Sequence, residues 1–165
     1  MQVLAEDLQY THVPTSQGDI LKTVGLNYRW VRRPDRDPAF REGVLAVYDY
    51  QCVICGFDVK LDQGPIALEA ANIKWFQAGG PDVVNNALCL CVLHHKLFDR
   101  GAMGIKKVAG QNLYITKVSP TVTGTCGYQE WVRRYENQSF RPPKGSLYYP
   151  EPGFVQWHLE EVFRG

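Results

Sequence analysis

The chain has 165 residues, 45% of them hydrophobic and 21% charged, which are ordinary values for a globular protein able to bury one core. Eighteen Lys and Arg balance seventeen Asp and Glu, so any nucleic-acid affinity has to come from local patches rather than from net charge. No apolar run reaches the ~18 residues of a membrane span and the N-terminus has no leader pattern, so a membrane protein and a fibre are excluded and a soluble, cytoplasmic chain is predicted.

Three stretches are predicted: a basic N-terminal extension (1–36), a core that carries the chemistry (37–105), and a C-terminal α/β extension packed on that core (106–165). The first ends in the basic cluster Arg29, Arg32, Arg33 and Arg36. Asp37-Pro38-Ala39-Phe40 reads as a helix start, with Asp as N-cap and Pro at the first helical position; Phe40, Val44, Leu45 and Tyr48 then share one face. The helix stops near Asp49, before a tight turn at Cys52-Val53-Ile54-Cys55-Gly56. Ile66, Leu68 and Ala70 alternate with polar or small neighbours and predict a strand ending near Ile73. Ala78-Gly79-Gly80-Pro81-Asp82 is a loop on turn chemistry, and a helix begins near Leu93 and closes at Gly101. A strand over 112–118, a helix over 129–135, a Pro-rich crossing over 141–152 and a last helix over 154–163 complete the pattern. Between Lys106 and Lys144 there are seven Lys or Arg against two Glu. That excess is either a solvated face or, with Trp131 and Tyr135 set around Arg133 and Arg134, a nucleic-acid face.

Five cysteines at uneven spacing fit a metal site in a reducing compartment better than a disulfide framework. Cys52 and Cys55 form C-x2-C, and after thirty-five intervening residues Cys91 and His94 form C-x2-H. Zn²⁺ takes four soft or borderline ligands in a tetrahedron, and a two-residue gap lets one tight turn present two of them. The four residues are therefore predicted to hold a structural zinc. Cys89 is an alternative to Cys91, but only Cys91 has the knuckle spacing to His94. Cys126 has no partner in sequence and reads as a core thiol.

From Leu68 to Gly101 the sequence runs LEAANIKWFQAGGPDVVNNALCLCVLHHKLFDRG. Taken with the C-x2-C, the E-A-A-x-I strand, the G-G-P loop, the L-C-x2-H-H and the F-D-x-G resemble the HNH endonuclease family. They are most similar to the domains of modification-dependent restriction endonucleases, including those that read phosphorothioated DNA. The likeness spans about residues 38–105 and extends to 154–165. It implies an α+β fold: a ββα-metal core with a zinc knuckle, flanked by short helices and strands. It also implies metal-dependent hydrolysis of double-stranded DNA, modified or not, with Mg²⁺, Mn²⁺ or Ni²⁺ as catalytic ion beside the structural zinc, and a homodimer to cut both strands.

The family's signature positions fall on Asn72, Asn86 and His95. The first is histidine in active members. Its role is to deprotonate the attacking water, which an amide cannot do near neutral pH. Asparagine is what a deliberate inactivating substitution would place there, and a naturally inactive relative is the other explanation. Asn86 resembles the asparagine that orients the base across the hairpin loop; the bland alternative is a turn residue. His95 resembles the ligand of the catalytic ion, and Asp99, one helical turn on, could join it or pair instead with Lys96 or Arg100. Ala71 stands where many members have a further ligand, leaving Glu69 as a remote substitute. Arg29, Arg32, Arg33, Lys106, Lys107, Arg133 and Arg134 are candidate phosphate contacts. Two other readings compete with the nuclease: a zinc-stabilised nucleic-acid-binding module without catalysis, and a zinc-ribbon adaptor for proteins.

Overall fold

The computed structural model describes residues 38–165; the cluster Arg29, Arg32 and Arg33 lies outside the described residues. Helix α1 (Pro38–Val47) buries Phe40, Val44 and Leu45, and Tyr48 just beyond it is also fully buried. Asp49 and Tyr50 take left-handed backbone angles (φ 56° and 53°) and swing the chain into the turn that carries Cys52 and Cys55. A short hairpin follows, β1 (Lys60–Leu61) with β2 (Gly64–Pro65). Strand β3 (Leu68–Asn72) then pairs antiparallel with β4 (Ala87–Cys91), with Leu68 opposite Cys91 and Asn72 opposite Ala87. Helix α2 (Val92–Asp99) leaves β4 with no loop between them, so strand, strand and helix form one ββα unit. Both α1 and α2 pack on this hairpin. All five residues of β4 are buried, as a strand covered on both faces must be.

The third pair, β5 (Met103–Lys107) with β6 (Tyr114–Val118), is antiparallel as well, and α3 (Cys126–Trp131) and α4 (Pro152–Glu161) follow. Helix α4 packs on β5, and the chain after it returns to the end of α2. Gly101 makes this possible: its φ is +71°, and a Cβ there would stand 2.0 Å from the Val162 carbonyl oxygen. Three sequence expectations differ from these observations. The helix expected over 129–135 is α3, which starts earlier, at Cys126, and gives way to a 3₁₀ turn at Arg133–Tyr135. Cys126 is exposed at the start of that helix rather than buried in the core. Strand β5 was not foreseen. Among the described residues no helix is long and apolar enough to cross a membrane.

His158 ties the C-terminal part to the ββα unit. Its ring stacks on Phe98 of α2 (centroids 3.7 Å apart, 12° between planes), and its Nε2 lies 3.2 Å from the Phe98 carbonyl oxygen. Nδ1 is buried without a partner, and burial pushes the pKa down to about 4. The folded protein therefore keeps His158 neutral, whereas the unfolded chain takes up a proton near pH 6.5. Stability from this group is complete above that pH and is lost as pH falls from about 6.5 toward about 4, by roughly 3 kcal/mol in all. Denaturant melts across that range should show the loss, and His158→Phe, which keeps the stack, should flatten that part of the curve.

Candidate metal centre and active site

The turn at Cys52 closes by a bond from the Gly56 amide to the Cys52 carbonyl (2.8 Å), and the Val53 amide bonds the Cys89 carbonyl of β4 (2.9 Å). This brings the C-x2-C beside the junction of β4 and α2, where Cys91 and His94 stand. One atom from each of Cys52, Cys55, Cys91 and His94 lies within 4.8 Å of the others. His94 Nδ1 is 3.2 Å from Cys91 Sγ and 3.6 Å from Cys52 Sγ, and Cys55 Sγ is 3.9 Å from Cys91 Sγ. The opposite ring nitrogen, Nε2, faces the Trp131 carbonyl oxygen at 3.0 Å, and a proton there leaves Nδ1 free to bind a metal. The sulfurs share their protons unequally: bonds from Cys55 and Cys91 hold the Cys52 thiol far below its ordinary range, and the same crowding pushes Cys55 up. Burial opposes charge on His94, but Cys52 and Cys91 outweigh it and raise its pKa to about 9. Three sulfurs and an imidazole suit Zn²⁺ in both number and softness of ligands. Cys89, the alternative ligand, is buried in β4 outside the cluster, and desolvation pushes its thiol up to about 12.

His95, next on the helix, is turned away from this cluster, because neighbouring helical residues diverge by ~100°. Its Nδ1 meets the Glu69 carboxylate of β3, and its Nε2 lies 3.4 Å from Asp99 Oδ2. Glu69 shares a strand face with Ala71, which is how it reaches α2. It touches the far side of the ring from Asp99, so it orients His95 rather than joining Asp99 at one ion. The His95 bond also holds the Glu69 carboxyl below its ordinary pKa. Nε2 and the Asp99 carboxylate are left side by side. An octahedral ion with bonds of about 2.1 Å sets adjacent ligands about 3 Å apart, so this pair fits one divalent cation, with water or phosphate filling the other positions.

Residue 72 ends β3. Asn72 is buried, and its Nδ2 donates to Asp82 Oδ1 at 2.8 Å. Asn86 is fully buried and does a different job: its Oδ1 accepts from the Lys74 amide (2.9 Å), while its Nδ2 donates to the Lys74 carbonyl (3.0 Å) and the Pro81 carbonyl (2.8 Å). It thus clamps both ends of the loop between the strands. Gly80 allows the close fit, since a Cβ there would stand 2.0 Å from the Lys74 oxygen. Reading the sequence placed Asp82 in a loop and gave it no role. An acid just after G-G-P and four residues before the signature asparagine was the available signal.

Of the candidate DNA contacts among the described residues, Lys106 and Lys107 are exposed, whereas Arg133 and Arg134 pair with Glu136 and Glu130. Residues 52–106 match the model of a family described as HNH endonuclease. This segment is an HNH domain. A solved structure of a "Modification dependent TagI restriction endonuclease" shares the fold with a TM-score of 0.52 at 22% identity, over 86% of this chain and 42% of that one. The chain thus spans less than half the length of that structure. Among curated protein sequences, none matches. The hairpin β3–β4 with its connecting loop and helix α2 carry Asn72, Asn86 and His95, and the C-x2-C turn is pinned against them from outside.

The cluster predicts about one Zn²⁺ per chain in the folded protein, measured by elemental analysis after extensive dialysis. Cys52→Ser should lose that zinc and lower the melting temperature sharply, because the metal cross-links two turns far apart in sequence.

Proposed function

We propose that this chain is a metal-dependent DNA endonuclease domain of the HNH class, held inactive at the water-activating step by Asn72. The observation that carries this reading is His95, fixed by Glu69 on one nitrogen and set beside Asp99 with the other, on the helix that follows the hairpin bearing residue 72. A divalent ion bound there would act as a Lewis acid on the phosphate and the leaving oxygen. The chain's own residues supply the remainder. Glu69 and Asp99 keep the imidazole in place, Asn86 holds the loop beside residue 72, and the side chain at 72 meets the attacking water. Asparagine can hold that water but cannot take its proton. The substrate is double-stranded DNA, modified or unmodified, and a homodimer would bring one site to each strand. A cytoplasmic location accords with the reduced thiols the zinc site requires.

The second reading, a binding module without catalysis, is favoured by Asn72 itself. Asn72→His separates the two. A positioned general base contributes ~10²–10⁴-fold to rate, enough to be visible in a plasmid-nicking assay. The substituted, zinc-loaded protein should nick DNA with Mg²⁺, Mn²⁺ or Ni²⁺, and His95→Ala in that background should abolish nicking at unchanged zinc content. No cleavage of either modified or unmodified DNA would reject the nuclease reading.

DNA binding does not need the base and should persist in the chain as it stands, weakening as salt rises. Among the described residues Lys106 and Lys107 have no acidic partner, unlike Arg133 and Arg134. Replacing both lysines with Ala should therefore reduce the slope of log affinity against log salt by about 1.8, and replacing both arginines should reduce it less. Fluorescence anisotropy from 50 to 200 mM salt measures both.

A further inference from the structure

We infer that Asp82 is a positioning residue for the side chain at 72, selecting the imidazole tautomer that leaves Nε2 open to water when histidine stands there. The inference rests on the nuclease reading only for its catalytic consequence. Its structural part stands on one bond, Asn72 Nδ2 to Asp82 Oδ1 at 2.8 Å. A carboxylate can only accept, so the side-chain nitrogen must be the donor, and the amide orientation is fixed. In histidine, Nδ1 stands in the same covalent position as Nδ2 in asparagine, two bonds beyond Cβ. Asp82 would therefore accept from Nδ1–H. The lone pair is then on Nε2, one atom further out, where asparagine has no atom at all. Asparagine keeps the bond that holds the side chain and lacks the atom that takes the proton.

Asp82 is itself well held. Asn86 donates to the Pro81 carbonyl one residue before it and clamps Lys74 on the other side of the loop, and Gly80 seats against the Lys74 carbonyl. The route from Asn86 to residue 72 therefore runs through the loop and ends at Asp82. In the resting tautomer Asp82 accepts from Nδ1–H; during the reaction Nε2 takes the water proton, and the Asp82 carboxylate faces the resulting imidazolium. The water oxygen forms the bond to phosphorus as the bond to the leaving oxygen breaks; that oxygen keeps the bonding pair and takes a proton from solvent, and the imidazolium returns its proton to solvent.

The test uses Asn72→His in the zinc-loaded chain with ¹⁵N-labelled histidine, and long-range ¹H–¹⁵N correlation spectra to read the protonated nitrogen. The introduced ring should carry its proton on Nδ1. Adding Asp82→Ala should move it to Nε2 and lower kcat by at least ~10-fold, within what a positioned base contributes, with KM and zinc content unchanged. A tautomer that does not respond to Asp82→Ala overturns the inference. A second measurement needs no substitution at 72. The Asn72 side-chain NH₂ protons should exchange slowly with solvent, and Asp82→Ala should abolish that protection. Free exchange in the unaltered chain likewise overturns the inference. If the tautomer responds to Asp82 but no variant cleaves DNA, the nuclease reading fails and the positioning role stands. If cleavage returns with a tautomer indifferent to Asp82, the positioning role alone fails.

Discussion

The convergence of Cys52, Cys55, Cys91 and His94 is the constraint on which the architecture depends. The described residues form three separate two-stranded sheets, and an isolated pair of strands is marginal in water. Stability must therefore come from what covers the strands and from what ties distant segments together. Helix α1 and the residue after it supply the cover through Phe40, Val44, Leu45 and Tyr48. The ligand cluster supplies the tie, since it joins the turn after α1 to the point where β4 becomes α2. Fixing that point fixes the rotation of α2 about its axis, and with it the direction of His95. The proposed zinc site thus sets the geometry of the proposed catalytic one through a single peptide bond.

The hairpin register does the rest. With Leu68 opposite Cys91 and Asn72 opposite Ala87, the zinc end of the hairpin is the start of β3 and the open end carries residue 72. Strand alternation then assigns faces: Glu69 goes to α2 and meets His95, whereas Asn72 belongs to the other alternate set and meets Asp82 from the connecting loop. A slip of one residue would exchange those faces and dissolve both contacts. Burial of Leu68, Ala70, Ala71, Leu88 and Leu90 makes such a slip costly, so the core packing enforces the site.

What could be read from sequence follows from the range of the interactions involved. The ligand pairs were legible because each lies within one turn, and α1 because its cap, proline and apolar spacing are all local. Asn72, Asn86 and His95 were singled out through motif resemblance, and the fold gathers them on one hairpin and the helix after it. Strand β5 was not, since Met103-Gly-Ile-Lys-Lys has no period-two pattern; its first three residues are all buried, and pairing with β6 defines it as a strand. The start of α3 and the exposure of Cys126 were missed for a related reason, because six residues carry too little periodicity to mark a boundary. Glu69 and Asp82 act through contacts across 26 and 10 residues, and these exist only once register and loop path are set.

The two adjacent histidines solve opposite problems with the same side chain. His94 offers Nδ1 to the sulfurs and spends Nε2 on the Trp131 carbonyl; His95 spends Nδ1 on Glu69 and leaves Nε2 beside Asp99. In each case an acceptor on one nitrogen decides which nitrogen is available for metal, so the tautomers are set by the fold and not by the ions. The companions of that nitrogen then sort the ions. Three thiols favour zinc, whereas a single carboxylate with open positions favours a harder, exchangeable divalent ion that keeps its waters. Residue 72 follows the same logic, with Asp82 as the acceptor. At that position, however, asparagine makes the hydrogen bond and has no nitrogen beyond it, so under the proposed reading holding the site together is separate from running its chemistry.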